Sequence, residues 1–393
     1  MTRDRIERVS ILRLQLLLST PLMSRESIFE ASVDYFLTPI RPYLEDDTVS
    51  EVMVNGFNEI YVERRGRLEK TTASFPSHDA LLSAIHNVAQ FVNREIDADR
   101  PIMDARLPNG SRVHVVLPPS ARRGIYLTIR KFNRDIFGME DLIHLGSMSE
   151  SAKEFLEICV RLKKNIVVAG GTGTGKTSLL NAISTAIPKD ERIVVIEDSS
   201  ELRLAQPHTL YLEVQQPDSM GRGGVSIRDL FKASLRMRPD RIIVGEVRSG
   251  EALDMVQSMI SGHAGSLTTV HATTPRDALI RLETLSLMSE VELPVYVARA
   301  QVASAINLVV QLSRYSEDGS RKISRISEAC GMDANNNYLF RDLFITRIKG
   351  RTPQGRLIAD LAPVGETPSF ADEISEYGLE SMVKHTAEMW NPQ

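Results

Sequence analysis

Residues Ile166–Leu180 read IVVAGGTGTGKTSLL. Four β-prone apolar residues, Ile166, Val167, Val168 and Ala169, lead into a glycine-rich turn, then Lys176 and Thr177, then an apolar run suited to a helix. Gly170–Thr177 fits the phosphate-loop pattern G-x-x-x-x-G-K-[ST] in the strand-to-helix context that the pattern requires. Gly170, Gly171, Gly173 and Gly175 allow positive φ and let backbone N–H groups approach a polyphosphate. A helix starting near Lys176 aims its positive dipole end at the same phosphates. The Lys176 ammonium is expected to reach β/γ oxygens, and the Thr177 hydroxyl to be a Mg²⁺ ligand. The residues expected around ATP are Gly171, Thr172, Gly173, Thr174, Gly175, Lys176, Thr177 and Ser178.

Downstream of this stretch, strands and helices alternate: ERIVVIED, TLYLEV, a glycine-containing loop, SIRDLFKASLRM, RIIVGEV, GEALDMVQSMI and SLTTVHA. Such alternation implies a largely parallel sheet with nucleotide at the strand C-terminal ends. Two carboxylates sit where apolar strands end, Glu197 after IVVI and Glu246 after IIVG. An ATPase needs one group to help hold Mg²⁺ and another to orient or activate water. Glu246 follows Gly245 and not an Asp, so the usual acidic pair is incomplete. Either Glu246 serves the metal and Glu197 the water, or the roles are reversed. His271, at the end of SLTTVHA, is placed to sense the γ-phosphate, and His263 is a weaker candidate. The loop 215–226 has no GK[ST] and reads as an ordinary mobile loop.

Upstream, the period changes. Residues 1–40 carry apolar residues at three-to-four spacing, broken at Pro21, and read as helical. TVSEVMVNGFNEIYVERRGRLEK reads as strand, Asn55-Gly56 turn, strand and a further turn at Arg65-Gly66. SHDALLSAIHNVAQFVNRE reads as a helix capped by Ser77. RLPNGSRVHVVLPP and RRGIYLTIRKF read as two more strands. The expected organisation is a helical segment over 1–40, a small, mostly antiparallel α/β module over 41–134, a linker over 135–150, and the nucleotide domain over 151–393.

The 393 residues suffice for two domains. With 47 Lys and Arg against 51 Asp and Glu, the net charge is −4. That argues against a dedicated nucleic-acid binder, and no nucleic-acid partner is expected. Cys159 and Cys330 stand far apart without a CxxC partner, so neither a zinc site nor a disulfide framework is expected. No apolar run is long enough for a transmembrane helix.

Four boxes, GGTGTGKT, VIEDSSEL, LRMRPDRIIVGEVRSGEALDM and GHAGSLTTVHATTPRDAL, together resemble the secretion-ATPase superfamily of type II and type IV secretion, type IV pili and archaeal flagella. EVMVNGFNEIYVERRGRLE, PIMDARLPNGSRVHVVLPP, GIYLTIRKF and the tail PVGETPSFADEISEYGLE resemble its tight-adherence (Flp) pilus branch. The resemblance implies an α/β protein: a RecA-like C-terminal P-loop domain, a smaller PAS-like N-terminal domain, and ATP at their junction. It also implies a homo-hexamer, cytoplasmic but peripherally associated with the inner membrane, working on platform proteins to assemble a pilus. By the family pattern Glu197 is the acidic-box glutamate, Glu246 the Walker B glutamate and His271 the histidine-box residue. Arginines reaching the phosphates map to Arg112 and Arg130, with Lys131 beside them and Arg236, Arg238, Arg241 and Arg248 as further candidates. A type IV secretion ATPase for effectors or conjugation shares all four boxes and is the competing reading. A DNA-translocating motor and a nucleotide-binding scaffold without turnover are the others.

Overall fold

The computed structural model describes residues 32, 33, 35–107, 109–131, 138–217 and 221–390. Most of the expected helical segment over 1–40 therefore lies outside the described residues. By contacts, the chain divides into two compact units, Met1–Asn133 and Arg134–Gln393.

The N-terminal unit is one antiparallel sheet with a helix on one face. Its strands are β1 (Val49–Val54), β2 (Ile60–Arg64), β3 (Arg67–Lys70), β4 (Ile102–Arg106), β5 (Arg112–Val116) and β6 (Tyr126–Arg130), in the order β3-β2-β1-β6-β5-β4. A short helix, α1 (Arg41–Glu45), precedes β1, and α2 (His78–Phe91) lies between β3 and β4. The turns expected at Asn55-Gly56 and Arg65-Gly66 join β1 to β2 and β2 to β3, with Gly56 and Gly66 at positive φ. Ser77 caps α2 by accepting from the Ala80 N–H at 3.1 Å. Leu81, Ala84, Ile85 and Val88 of α2 are buried together with Val52, Val113 and Ile129 of the sheet. Strand β4 escaped the sequence reading. It is an edge strand with only Met103 buried, so it carries no apolar alternation.

The larger unit is built on a nine-stranded sheet. Its helices are α3 (Met139–His144), α4 (Glu150–Arg161), α5 (Lys176–Ser184), α6 (Ile227–Ser234), α7 (Glu251–Ile260), α8 (Pro275–Leu287), α9 (Val295–Ala305), α10 (Glu373–Glu376) and α11 (Ala387–Trp390). Its strands are β7 (Ile166–Gly170), β8 (Ile193–Glu197), β9 (Thr209–Glu213), β10 (Arg241–Val244), β11 (Leu267–Val270), β12 (Leu308–Arg314), β13 (Arg321–Met332), β14 (Tyr338–Arg351) and β15 (Leu357–Pro363). The order is β15-β14-β13-β12-β7-β11-β10-β8-β9. Strands β12, β7, β11, β10, β8 and β9 run parallel, whereas β12 to β15 pair antiparallel.

The central strands read as continuous apolar runs because both faces are covered. Ile166 and Val168 pack with Phe155, Cys159, Leu180 and Ile183 on one face. Val167 and Ala169 pack with Val256, Leu279, Leu282 and Val302 on the other. The region expected as a linker contributes to this unit: α3 lies within it, and Met139, Leu142 and Met148 join the first of these cores. The three antiparallel strands β13–β15 were not anticipated from sequence, although the Asp318-Gly319 turn between β12 and β13 is a hairpin signal.

Two buried ionic knots brace the unit. Arg241 is fully buried at the start of β10, pairs with Glu191 at 2.5 Å, and donates to the carbonyls of Val160 (2.8 Å) and Gly265 (3.3 Å). Gly265, at φ +85°, is needed there, since a Cβ would stand 2.3 Å from the guanidinium. Arg241 is thus a structural residue and not the phosphate-reaching arginine considered from sequence. In the second knot the buried Glu154 of α4 accepts from the N–H groups of Lys384 (2.9 Å), His385 (2.8 Å) and Thr386 (3.0 Å) and from the Thr386 hydroxyl (2.6 Å). Trp390 donates its indole N–H to that hydroxyl at 2.8 Å and stacks on Phe155, with ring centroids 5.4 Å apart.

Candidate functional site

The site is assembled at the C-terminal ends of β7, β8, β10 and β11, where a parallel sheet presents its loops. β7 is buried along its whole length and ends at Gly170. Gly173 and Gly175 adopt φ of +69° and +93°, the left-handed region where glycine is at no disadvantage. A Cβ on Gly170 would stand 2.5 Å from Thr174 Oγ1, so the loop closes only around a glycine there. Thr174 donates to the Gly171 carbonyl at 2.9 Å. Helix α5 starts at Lys176, as the sequence predicts, with Thr177 and Ser178 half-buried in its first turn. The Lys176 ammonium is buried and donates to the carbonyls of Gly170 (3.1 Å) and Gly171 (3.0 Å).

From Lys176 a row of polar and charged groups crosses the strand ends. Lys176 Nζ lies 3.4 Å from the His271 ring nitrogens. His271 Nε2 lies 2.9 Å from Glu246 Oε1, without the alignment of a hydrogen bond. Glu246 Oε2 accepts from Arg248 Nε at 2.8 Å and also from Arg248 Nη2. Arg248 Nη1 in turn lies 3.3 Å from Asp198. Burial, then the charge of Lys176, push the His271 pKa below 6.5, against the opposing pull of Glu246. That shift favours the neutral imidazole.

Glu197, only 4% exposed, ends β8 beside this row. Its Oε1 accepts from the N–H groups of Glu201 (2.9 Å) and Leu202 (3.0 Å), which fixes the carboxylate. The same carboxylate explains Gly245. A Cβ at 245 would stand 2.9 Å from Glu197 Cγ and 3.2 Å from Oε1. The glycine that replaces the usual acid before Glu246 makes room for the second glutamate. The structure thus brings Lys176, Glu197, Glu246 and His271 to one end of the sheet. His263 precedes β11, at the opposite end from His271, and has no place in the cluster.

Arg112 and Arg130 lie in the N-terminal unit, directly opposite one another on β5 and β6. Arg106 of β4 faces Arg112, and Glu51 of β1 faces Arg130. Three arginines thus share one cross-strand row, with the Glu51 carboxylate at its end. Arg106 was missed because its strand was missed. Lys131 is anchored elsewhere, donating to the Asp46 carbonyl at 2.6 Å.

The donor set fits a magnesium nucleotide. Among the described residues, no cluster of three or more His, Cys, Asp or Glu forms a metal cage. Mg²⁺ bound to a nucleotide takes most of its ligands from phosphate and water, needing one or two from protein. The Thr177 hydroxyl and Glu246 are of the right kind and stand beside the glycine cradle.

A family model described as "Type II/IV secretion system protein" matches residues 36–361. The chain belongs to that family. It is 36% identical over 319 residues to the type IV secretion system protein PtlH of Bordetella pertussis, covering 75% of this chain and 94% of PtlH. It is 34% identical over 327 residues to the type IV secretion system protein VirB11 of Brucella suis, covering 75% and 90%. Among solved structures, the pilus retraction motor PilT with bound ADP matches with a TM-score of 0.52 at 17% identity, over 77% of this chain and 84% of that one, which supports the fold. As a member of this family the chain is a nucleotide-binding secretion ATPase, an α/β protein as expected. The relatives just named favour the type IV secretion reading over the tight-adherence pilus reading drawn from sequence boxes.

Proposed function

We propose that this chain is the ATP-hydrolysing motor of a type IV secretion machine. The carrying observation is the continuous row Lys176–His271–Glu246–Arg248 at the strand ends, in a chain akin to PtlH and VirB11. Lys176 and the N–H groups of Gly173–Ser178 bind the β- and γ-phosphates. Thr177 and Glu246 would hold Mg²⁺, which would supply positive charge against the phosphates. Glu197, immobilised by two amide N–H groups, orients the attacking water. His271 reports the γ-phosphate to the rest of the row.

By kinship with these relatives, the working form is a homo-hexamer in the cytoplasm, docked on inner-membrane components of the machine. Among the described residues no helix is long and apolar enough to cross a membrane. The test is to exchange the native gene for a Lys176→Ala allele. Loss of protein or DNA export with surface pili retained supports the reading. Loss of pili with export retained returns the tight-adherence role.

A further inference from the structure

Arg321 is the first residue of β13, at the turn that joins it to β12. Its Nε donates to the carbonyl of Gly173 at 2.8 Å. Across the hairpin it pairs with Arg314. A Cβ on Gly173 would stand 3.3 Å from the Arg314 guanidinium, and one on Gly175 would stand 3.6 Å from Arg321 Cδ. The antiparallel part of the sheet therefore lies directly against the phosphate loop.

The hydrogen bond has a geometric consequence. A trans peptide is planar, so its C=O and the following N–H point in opposite directions. Holding the Gly173 carbonyl toward Arg321 turns the Thr174 N–H away from Arg321. At a glycine, nothing intrinsic fixes that plane, because φ and ψ are nearly free. The carbonyls of Gly170 and Gly171 are held by Lys176 and Thr174, groups of the loop itself. The Gly173 carbonyl is held from β13. Arg321 is anchored in turn: its own carbonyl accepts from the Ser147 hydroxyl at 2.6 Å, the Ile323 N–H donates to the Ser147 carbonyl at 3.0 Å, and Lys322 donates to the Gly146 carbonyl at 2.7 Å.

We propose that Arg321 is a positioning residue for the phosphate loop: it sets the Gly173–Thr174 peptide plane so that the Thr174 amide faces the polyphosphate. Through Ser147, the segment entering the larger unit is wired to the nucleotide cradle. The proposal rests on the phosphate loop being the ATP site.

Steady-state phosphate release and binding of a fluorescent ATP analogue, on the full chain, test it. Arg321→Met keeps the apolar stem and removes the donor; Arg321→Lys keeps a donor. In Arg321→Met, the KM for ATP and the analogue Kd rise about tenfold, equivalent to about 1.4 kcal/mol, the scale of one charge-assisted hydrogen bond. Turnover at saturation stays within about threefold, and Arg321→Lys recovers most of the affinity. Trp390 emission and thermal melting verify the fold of each variant, and Arg321→Ala repeats the test should the methionine repack. An unchanged KM in folded Arg321→Met or Arg321→Ala overturns the proposal. So does a tenfold loss of kcat at unchanged KM, which would put Arg321 on the transition state. Hydrolysis retained by Lys176→Ala would instead sink the ATP-site reading.

Discussion

Lys176, Glu197, Gly245 and His271 define what a single side chain contributes. Removing the Lys176 ammonium takes away the buried positive charge of the cradle, and Lys176→Ala is expected to lose hydrolysis outright in a phosphate-release assay. Gly245→Ala is the subtler probe. The new Cβ drives Glu197 from its place, so kcat should fall at least about tenfold, while overpacking costs about 1–3 kcal/mol of stability; activity within twofold of wild type would separate Glu197 from turnover. His271 supplies a pH signature. Its folded pKa lies below the unfolded 6.5, so unfolding takes up a proton first as pH falls. The neutral ring therefore contributes stability in full above about pH 6.5, and that contribution drains as pH drops toward the folded value. The melting temperature of wild type should fall faster below pH 6.5 than that of His271→Gln, and parallel curves would contradict the shift.

Elements explain what was legible in the sequence and what was not. The phosphate loop and its helix were readable to the residue because glycine spacing and a lysine are demanded by chemistry. Glu197 and Glu246 were readable because each follows an unbroken apolar strand. Why Gly245 stands before Glu246 was not readable, since the reason is the carboxylate of a neighbouring strand. Strand β4 hid because an edge strand buries one residue, and β13–β15 were passed over although they carry Arg321. The C-terminal segment is an element of a different kind, docked through buried charge. Glu154→Gln keeps the shape but gives up the charge that four donors address. It is expected to cost about 2–3 kcal/mol, seen as a lower denaturation midpoint with altered Trp390 emission. An unchanged midpoint would show that the clamp adds nothing.

At the scale of the whole molecule, the proposed hexamer carries its own prediction. Specific activity should rise with protein concentration, and mixing in the Lys176→Ala chain should suppress wild-type turnover more than in proportion to its share. Activity independent of concentration and a strictly proportional loss would mean that subunits work alone. The Glu154 clamp also bears on how this chain is made. Its acceptor and its first donor, Lys384, lie 230 residues apart in sequence. At about 5–20 residues per second of synthesis, the α4 face bearing Phe155 waits roughly 10–50 seconds on the ribosome before Trp390 emerges to cover it. The nascent chain therefore carries the Phe155 side of α4 without its Trp390 partner while the segment that becomes the nucleotide cradle, next in sequence, is already made.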